Sequence, residues 1–104
     1  MSTAADTDPN ALARIHTIRR AGERHGVSLS AADVARFEAM IRSGRDGPEC
    51  VWVREFYRPD RRLYAVRFAF RWLPVVFDVH SRVIVTVLPR RVLAQYPETR
   101  RFAS

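Results

Sequence analysis

Three residues near the N-terminal end carry the first candidate chemistry: His16, Arg20 and Glu23, whose i, i+4, i+7 spacing puts them on one edge of a helix. A histidine moves a proton near neutral pH, and an arginine one turn away offers a bidentate grip on a phosphate. The commoner role for such a trio is a solvated edge on which Glu23 pairs with Arg20 or Arg19. Further along, Arg67 and Arg71 are spaced to share one strand face, where they meet either water or a phosphate, because burying an unpaired arginine is costly. Asp78 and His80 flank a reversal between strands, and aspartate there is expected to stabilise the turn. Thr86 alternates with Ile84 and Leu88, so its hydroxyl faces a backbone partner or reaches the site from the last strand. Trp52, Phe56, Tyr57, Tyr64 and Trp72 have the faces to stack bases, although aromatics at strand period are more often core, and only the tyrosines are good surface candidates.

Other chemistries are excluded by spacing. No Walker loop, dinucleotide glycine fingerprint or nucleophile elbow occurs. One cysteine, Cys50, forms no internal disulfide, and three scattered histidines make no zinc pattern, so no cofactor and no metal are expected. Met1 to Asn10 is polar and acidic and no long apolar run exists, so neither a secretory leader nor a membrane contact is expected and a reducing cytoplasm is the expected compartment.

The elements that must position these residues are legible in outline. Asp8-Pro9 is a helix start, with Ala11, Leu12, Ile15, Ile18 and Gly22 at helical spacing and Gly26 as the left-handed stop. Ser30 with Asp33 forms a capping box, with Leu29 placed to staple onto Val34. The helix that follows carries Val34, Phe37 and Ile41 inward and Arg36 and Arg42 outward, and ends at Ser43-Gly44. Arg45 to Glu49 reads as a loop, Cys50 to Tyr57 as a strand, and Arg58 to Arg62 as a hairpin connection. Leu63 to Leu88 then supplies short antiparallel strands, with Tyr64, Val66, Phe68 and Phe70 alternating against Ala65, Arg67, Ala69 and Arg71, and with Trp72-Leu73-Pro74 as an interruption. Arg90 to Tyr96 has room for one short helical turn. The expected fold is α+β, two N-terminal helices packed on one face of an antiparallel sheet of about four strands. Residues 1–8 are expected to be flexible, 9–96 to form a single domain, and 97–104 to be a basic tail. The sheet face opposite the helices is expected to be open.

Charge narrows the partners. The chain of 104 residues has a formal charge of +7, and all 18 of its basic residues are arginine. Arginine bias of this kind follows either from bidentate phosphate contacts or from GC-rich coding. The basic excess survives either origin and attracts polyanions.

The order of these features resembles a known group. His16-x-x-x-Arg20, then Glu23 to Ser30 with Asp33-Val34 and a closing Gly44, then Val75-Val76-Phe77-Asp78 and Val83 to Pro89, resembles the DUF4258 family. That family is grouped with RelE-like toxins and the barnase–colicin E5–RelE fold of metal-independent ribonucleases. The resemblance spans residues 14 to 89 as patches. It departs from the pattern at His25, inserted between the usual arginine and glycine, and in the arginines after Pro89.

The resemblance implies a toxin-type domain that cleaves or binds RNA, with RNA as partner and an acidic antitoxin or other acidic protein as the alternative. Metal-free cleavage needs a proton-transfer group and cations on the phosphorane-like transition state. His16 is assigned the proton, Arg20 and Arg67 the phosphate, and His80 and Thr86 supporting roles. Arg19, Arg24, Arg61 and Arg62 are assigned to nucleic-acid contacts, as are Arg71, Arg90 and Arg91. The alternative is a non-catalytic basic protein, such as a phage-encoded inhibitor or accessory factor, that docks on nucleic acid or an acidic protein. Geometry separates the two. If Tyr64, Val66, Phe68 and Phe70 face the helices, Arg67 points away from His16, and the binding reading gains.

Overall fold

Local signals account for both N-terminal helices in the computed structural model, which describes residues 9–44, 49–56 and 58–95. Helix α1 (Pro9–His25) opens on a proline whose missing N–H has no intrahelical partner at that position. It closes where Gly26 takes a φ of 65° and its N donates to Gly22 O, the bond of an αL stop, while Val27 N reaches Ala21 O at 3.5 Å. Helix α2 (Ala31–Arg42) begins on the expected capping box: Asp33 N donates to Ser30 Oγ at 3.1 Å and Ser30 N to the Asp33 carboxylate at 2.9 Å. Leu29 and Val34 are both buried in the main core beside it.

The sheet is a meander of four antiparallel strands, β1 (Cys50–Phe56), β2 (Arg58–Phe68), β3 (Arg71–Asp78) and β4 (Val83–Val87), in sequence order. With the two long helices on one face, the fold is α+β. A short helix, α3 (Arg91–Gln95), follows.

Several boundaries differ from the sequence reading. Arg58 to Arg62 is the start of β2 rather than a hairpin connection, because this segment has two partners: Phe56 pairs with Arg58 on one side and Asp78 with Arg61 on the other. Those ladder bonds outweigh the turn preference of Pro59 and Asp60. Pro74 lies inside β3 rather than interrupting it. Its carbonyl accepts from Leu88 N just beyond the end of β4; its nitrogen faces the same way and has no proton to return, so the missing ladder bond falls at the end of the β3–β4 pairing, where Leu88 O contacts His25 Nε2 instead. The interruption falls instead at Ala69-Phe70, a two-residue turn with φ of 51° and 65° between the paired residues Phe68 and Arg71. Arg71 therefore belongs to β3 and does not share a face with Arg67.

The main core lies between the helices and the sheet, with Ala21, Val34, Phe37 and Ile41 against Val66, Leu73, Val75 and Ile84. Ile18 packs against it, whereas Leu12 and Ile15 are 54% and 55% exposed. The stripe read from the sequence is thus rotated. What α1 turns inward is Thr17, Ala21 and His25, because it rests on an edge strand whose polar backbone needs partners as much as its side chains need cover. The far face of the sheet is covered rather than open: Val92 of α3 packs with Leu63 and Val76, and Leu93 with Ala65.

The expected flexible residues 1–8, the Asp8 cap, the tail 97–104, most of the 45–49 loop, and Tyr57 and Tyr96 lie outside the described residues.

A single buried carboxylate joins the layers. Glu38 is 1% exposed; one oxygen accepts from Arg14 Nη2 at 3.0 Å and the other from Ile84 N at 2.9 Å. Glu38→Ala leaves that amide unsatisfied and should lower the unfolding free energy by about 3 kcal/mol in denaturant titration. Glu38→Gln keeps an acceptor and should lose about half as much. Phe70→Gly should have the opposite sign, raising stability by about 1 kcal/mol, because the exposed phenylalanine stands in a left-handed conformation that only glycine adopts freely.

Candidate nucleic-acid interface

The outer edge of β4 is closed by side chains. Arg42 of α2 donates twice to Arg82 O, at 2.9 and 2.6 Å, and Glu38 takes the Ile84 amide. From α1, the Thr17 hydroxyl shares its one proton between Ala13 O at 2.8 Å and Ile84 O at 3.3 Å. Arg24 donates to Val87 O at 2.8 Å, and His25 Nε2 lies 2.7 Å from Leu88 O. A carbonyl only accepts, so Nε2 carries the proton.

His25 is at the centre of a basic corner. Arg71 Nη1 donates to the His25 carbonyl at 2.8 Å, which ties the start of β3 to the end of α1. Burial pushes the His25 pKa down, and Arg71, Arg90 and Arg24 push it the same way against the opposing bond to Leu88 O. The charged groups that push it down most strongly are three arginines. Among the described residues, neither Arg24 nor Arg71 is paired with an acid. Their guanidinium groups are held by carbonyls instead, which fixes their positions and leaves their charge uncompensated.

The residues assigned to catalysis do not converge. His16 is half-buried, and its charged neighbours, Arg20, Arg24, Arg19 and Glu23, all belong to its own helix. Partial burial followed by Arg20, Arg24 and Arg19 lowers its pKa, so it is neutral at pH 7. Arg20 pairs with Glu23 at 2.7 Å, the solvated-edge role. Arg67 is on the other side of the sheet: its cross-strand partner Trp72 packs with Ala65 and Leu93 beneath α3. Thr86 pairs with Val76, which belongs to that same far face. His80 is exposed in the β3–β4 turn, at the opposite end of β3 from Arg71.

Asp78 performs the turn role expected of it, accepting from His80 N at 2.8 Å and Ser81 N at 3.1 Å. Burial alone would raise its pKa, but those two amides and Arg61 outweigh burial and lower it. The Arg61 Nε–Asp78 Oδ2 separation is 3.1 Å, but the N–H is not aimed along it, so the contact is an ion pair without a formal hydrogen bond.

Of the arginines assigned to nucleic acid, Arg24, Arg71 and Arg90 meet at the His25 corner. Arg61 is engaged by Asp78, and Arg62 is half-buried with its guanidinium 5.9 Å from the Trp52 ring centre. Arg19 and Arg91 are exposed on α1 and at the start of α3. Tyr64 is buried against Phe77, so it offers no stacking face.

Two features escaped the sequence reading. The alternation that assigned Phe70 to the core places a residue that is 92% exposed. Next to it opens a cleft of about 450 Å³ lined by Arg36, Glu49, Arg67, Phe68, Ala69 and Phe70. His25 was also missed as a site residue; its signal is its place one turn after Ala21, on the same inward face.

No family model matches the chain, nor does any curated protein or solved structure. Among the described residues, no group of three or more His, Cys, Asp or Glu is placed to hold a metal ion, and no helix is long and apolar enough to cross a membrane.

The lowered His25 pKa gives a pH dependence with a definite sign. Below the unfolded-state value of about 6.5, the unfolded chain binds a proton that the folded chain resists, so protonation favours unfolding. Stability should be flat above about pH 7 and fall as pH drops through the window beneath 6.5. His25→Gln, which keeps a donor for Leu88 O without titrating, should flatten that fall; His16 contributes the remainder. Denaturant midpoints from pH 5 to 8 measure it, and an unchanged profile in the variant would show that His25 is not the group responsible.

Proposed function

We propose that this protein is a cytoplasmic RNA-binding domain, similar in motif order to RelE-like proteins, that grips the phosphate backbone through the arginine corner around His25. The observation that carries this reading is the anchoring of Arg24 and Arg71 on backbone carbonyls rather than carboxylates. A guanidinium held by a neutral carbonyl keeps its full charge and has already lost much of its rotamer freedom, which favours phosphate contacts. The net charge of +7 adds attraction at longer range. An acidic protein, including an antitoxin, is the alternative occupant of the same surface.

Metal-independent RNA cleavage is a second reading, and His16 is the observation in its favour. It is neutral at pH 7 and flanked by arginines, as a general base near a phosphate would be. Binding is favoured over cleavage because Arg67, His80 and Thr86 do not join it.

Fluorescence anisotropy with a labelled single-stranded RNA tests the binding reading. Three arginine–phosphate contacts should give a log–log salt slope of about −2, and Arg71→Gln should reduce its magnitude by about 0.7. Affinity that stays flat up to about 0.2 M salt would count against a phosphate partner. The same RNA incubated with chelator should be recovered intact; products that vanish in His16→Ala would establish cleavage instead.

A further inference from the structure

The turn between β2 and β3 breaks two local rules at once. Ala69 and Phe70 both hold a positive φ, which asparagine and glycine adopt with less strain in a two-residue turn, and the second of them is a phenylalanine standing 92% in solvent. Neither burial nor turn propensity accounts for that side chain. Strain maintained at an exposed site is a pointer to a contact made there.

The surroundings specify the contact. Phe68, at the base of the turn, is fixed edge-to-face against Phe37 with ring centres 6.1 Å apart, so the tip projects from a rigid support. On the β1 side lies the cleft of about 450 Å³, a volume within the range of small-ligand sites. Arg36 stands on its wall with its guanidinium 5.1 Å from the Phe37 ring centre, and 3.7 Å from the Glu49 carboxylate. On the β4 side of the same tip is Arg71, the first residue of β3 and a member of the His25 corner. Cations thus flank the aromatic on both sides, and a carboxylate shares the cleft.

We propose that the β2–β3 tip is a stacking site for one unstacked base of a single-stranded nucleic acid, with Phe70 against the base face, Arg71 taking the adjacent phosphate and the Arg36–Glu49 pair facing the base edge across the cleft. The site deepens the RNA-binding reading and rests on it. Single strands suit the geometry because their bases are free to turn out of the stack, whereas a duplex presents only phosphates to a projecting ring. Glu49 orients the ligand: a carboxylate repels a phosphate and accepts from the amino groups of bases. An anionic membrane has no use for the concave wall and offers no base amino group to Glu49, so the nucleic acid is the better occupant.

The test compares wild type, Phe70→Gly and Phe70→Trp in binding a single-stranded RNA that carries one 2-aminopurine, a duplex RNA of equal length, and vesicles of phosphatidylserine and phosphatidylcholine. Wild type should quench the 2-aminopurine on binding. Phe70→Gly should lose the quenching and about tenfold in affinity for the single strand, the scale of one base–aromatic stack, while binding the duplex as before. Phe70→Trp should restore both. Because glycine relieves the turn, a folding defect does not explain a loss. Single-strand binding and quenching unchanged in Phe70→Gly would overturn the stacking site while leaving RNA binding standing, as would vesicle binding that depends on Phe70 when RNA binding does not. A wild-type protein that binds neither RNA would overturn both.

Discussion

The open edge of β4 is the constraint on which the other elements depend. A four-stranded meander leaves one side of its last strand without a backbone partner, and here that side lies under two helices, away from the water that would otherwise satisfy it. The chain meets the need with side chains: Thr17, Arg24 and His25 from α1 and Glu38 and Arg42 from α2. Their placement fixes how both helices sit. Helix α1 must run along β4 so that Thr17 reaches Ile84 and His25 reaches Leu88, and α2 must bring Glu38 over the Ile84 amide.

That arrangement decides what chemistry is left. A histidine and several arginines on helices near a sheet look from the sequence like a phosphodiester site, yet Arg24 is engaged in holding the edge strand, Arg20 pairs with Glu23, and His16 is joined by none of the other residues assigned to catalysis except Arg20 on its own helix. Arg24 and Arg71 serve both ends, since a carbonyl takes one or two N–H groups of a guanidinium and does not cancel its charge. Positive potential at this corner is thus a by-product of the way β4 and the end of α1 are tied down. Arg20 and Arg61, by contrast, face carboxylates and contribute little field.

The parts of the fold legible in the sequence were those governed by neighbours along the chain. The Ser30–Asp33 capping box, the Gly26 stop and the Asp78 turn depend on residues within three or four positions, so their types and spacing suffice. The inward face of α1 was misread because Leu12 and Ile15 are more apolar than Thr17, Ala21 and His25, while the deciding partner, β4, lies more than 60 residues away. Arg58 to Arg62 was misread for a related reason: two flanking strands, invisible locally, supply the bonds that override Pro59 and Asp60. The pairing of Arg67 with Arg71 failed through parity, because a two-residue turn between them restarts the alternation and sends them to opposite faces.

Phe70 shows the limit of period-2 reading most sharply. It continues the run Tyr64, Val66, Phe68, and nothing in hydrophobicity marks where the strand stops. Turn chemistry gives no mark either, since neither Ala69 nor Phe70 is a residue that favours a positive φ. The turn is set by the ladder instead: eight consecutive β2–β3 pairs from Arg61–Asp78 to Phe68–Arg71 leave two residues to close the hairpin, and the backbone must accept whatever conformation closes it. Tertiary pairing therefore imposes the strain and solvent exposure together. A selection for stability alone would place glycine at that position and remove the phenylalanine from water. Departure from it on both counts, at a tip between Arg36 and Arg71, is the pattern expected where a local rule is broken for a contact outside the chain.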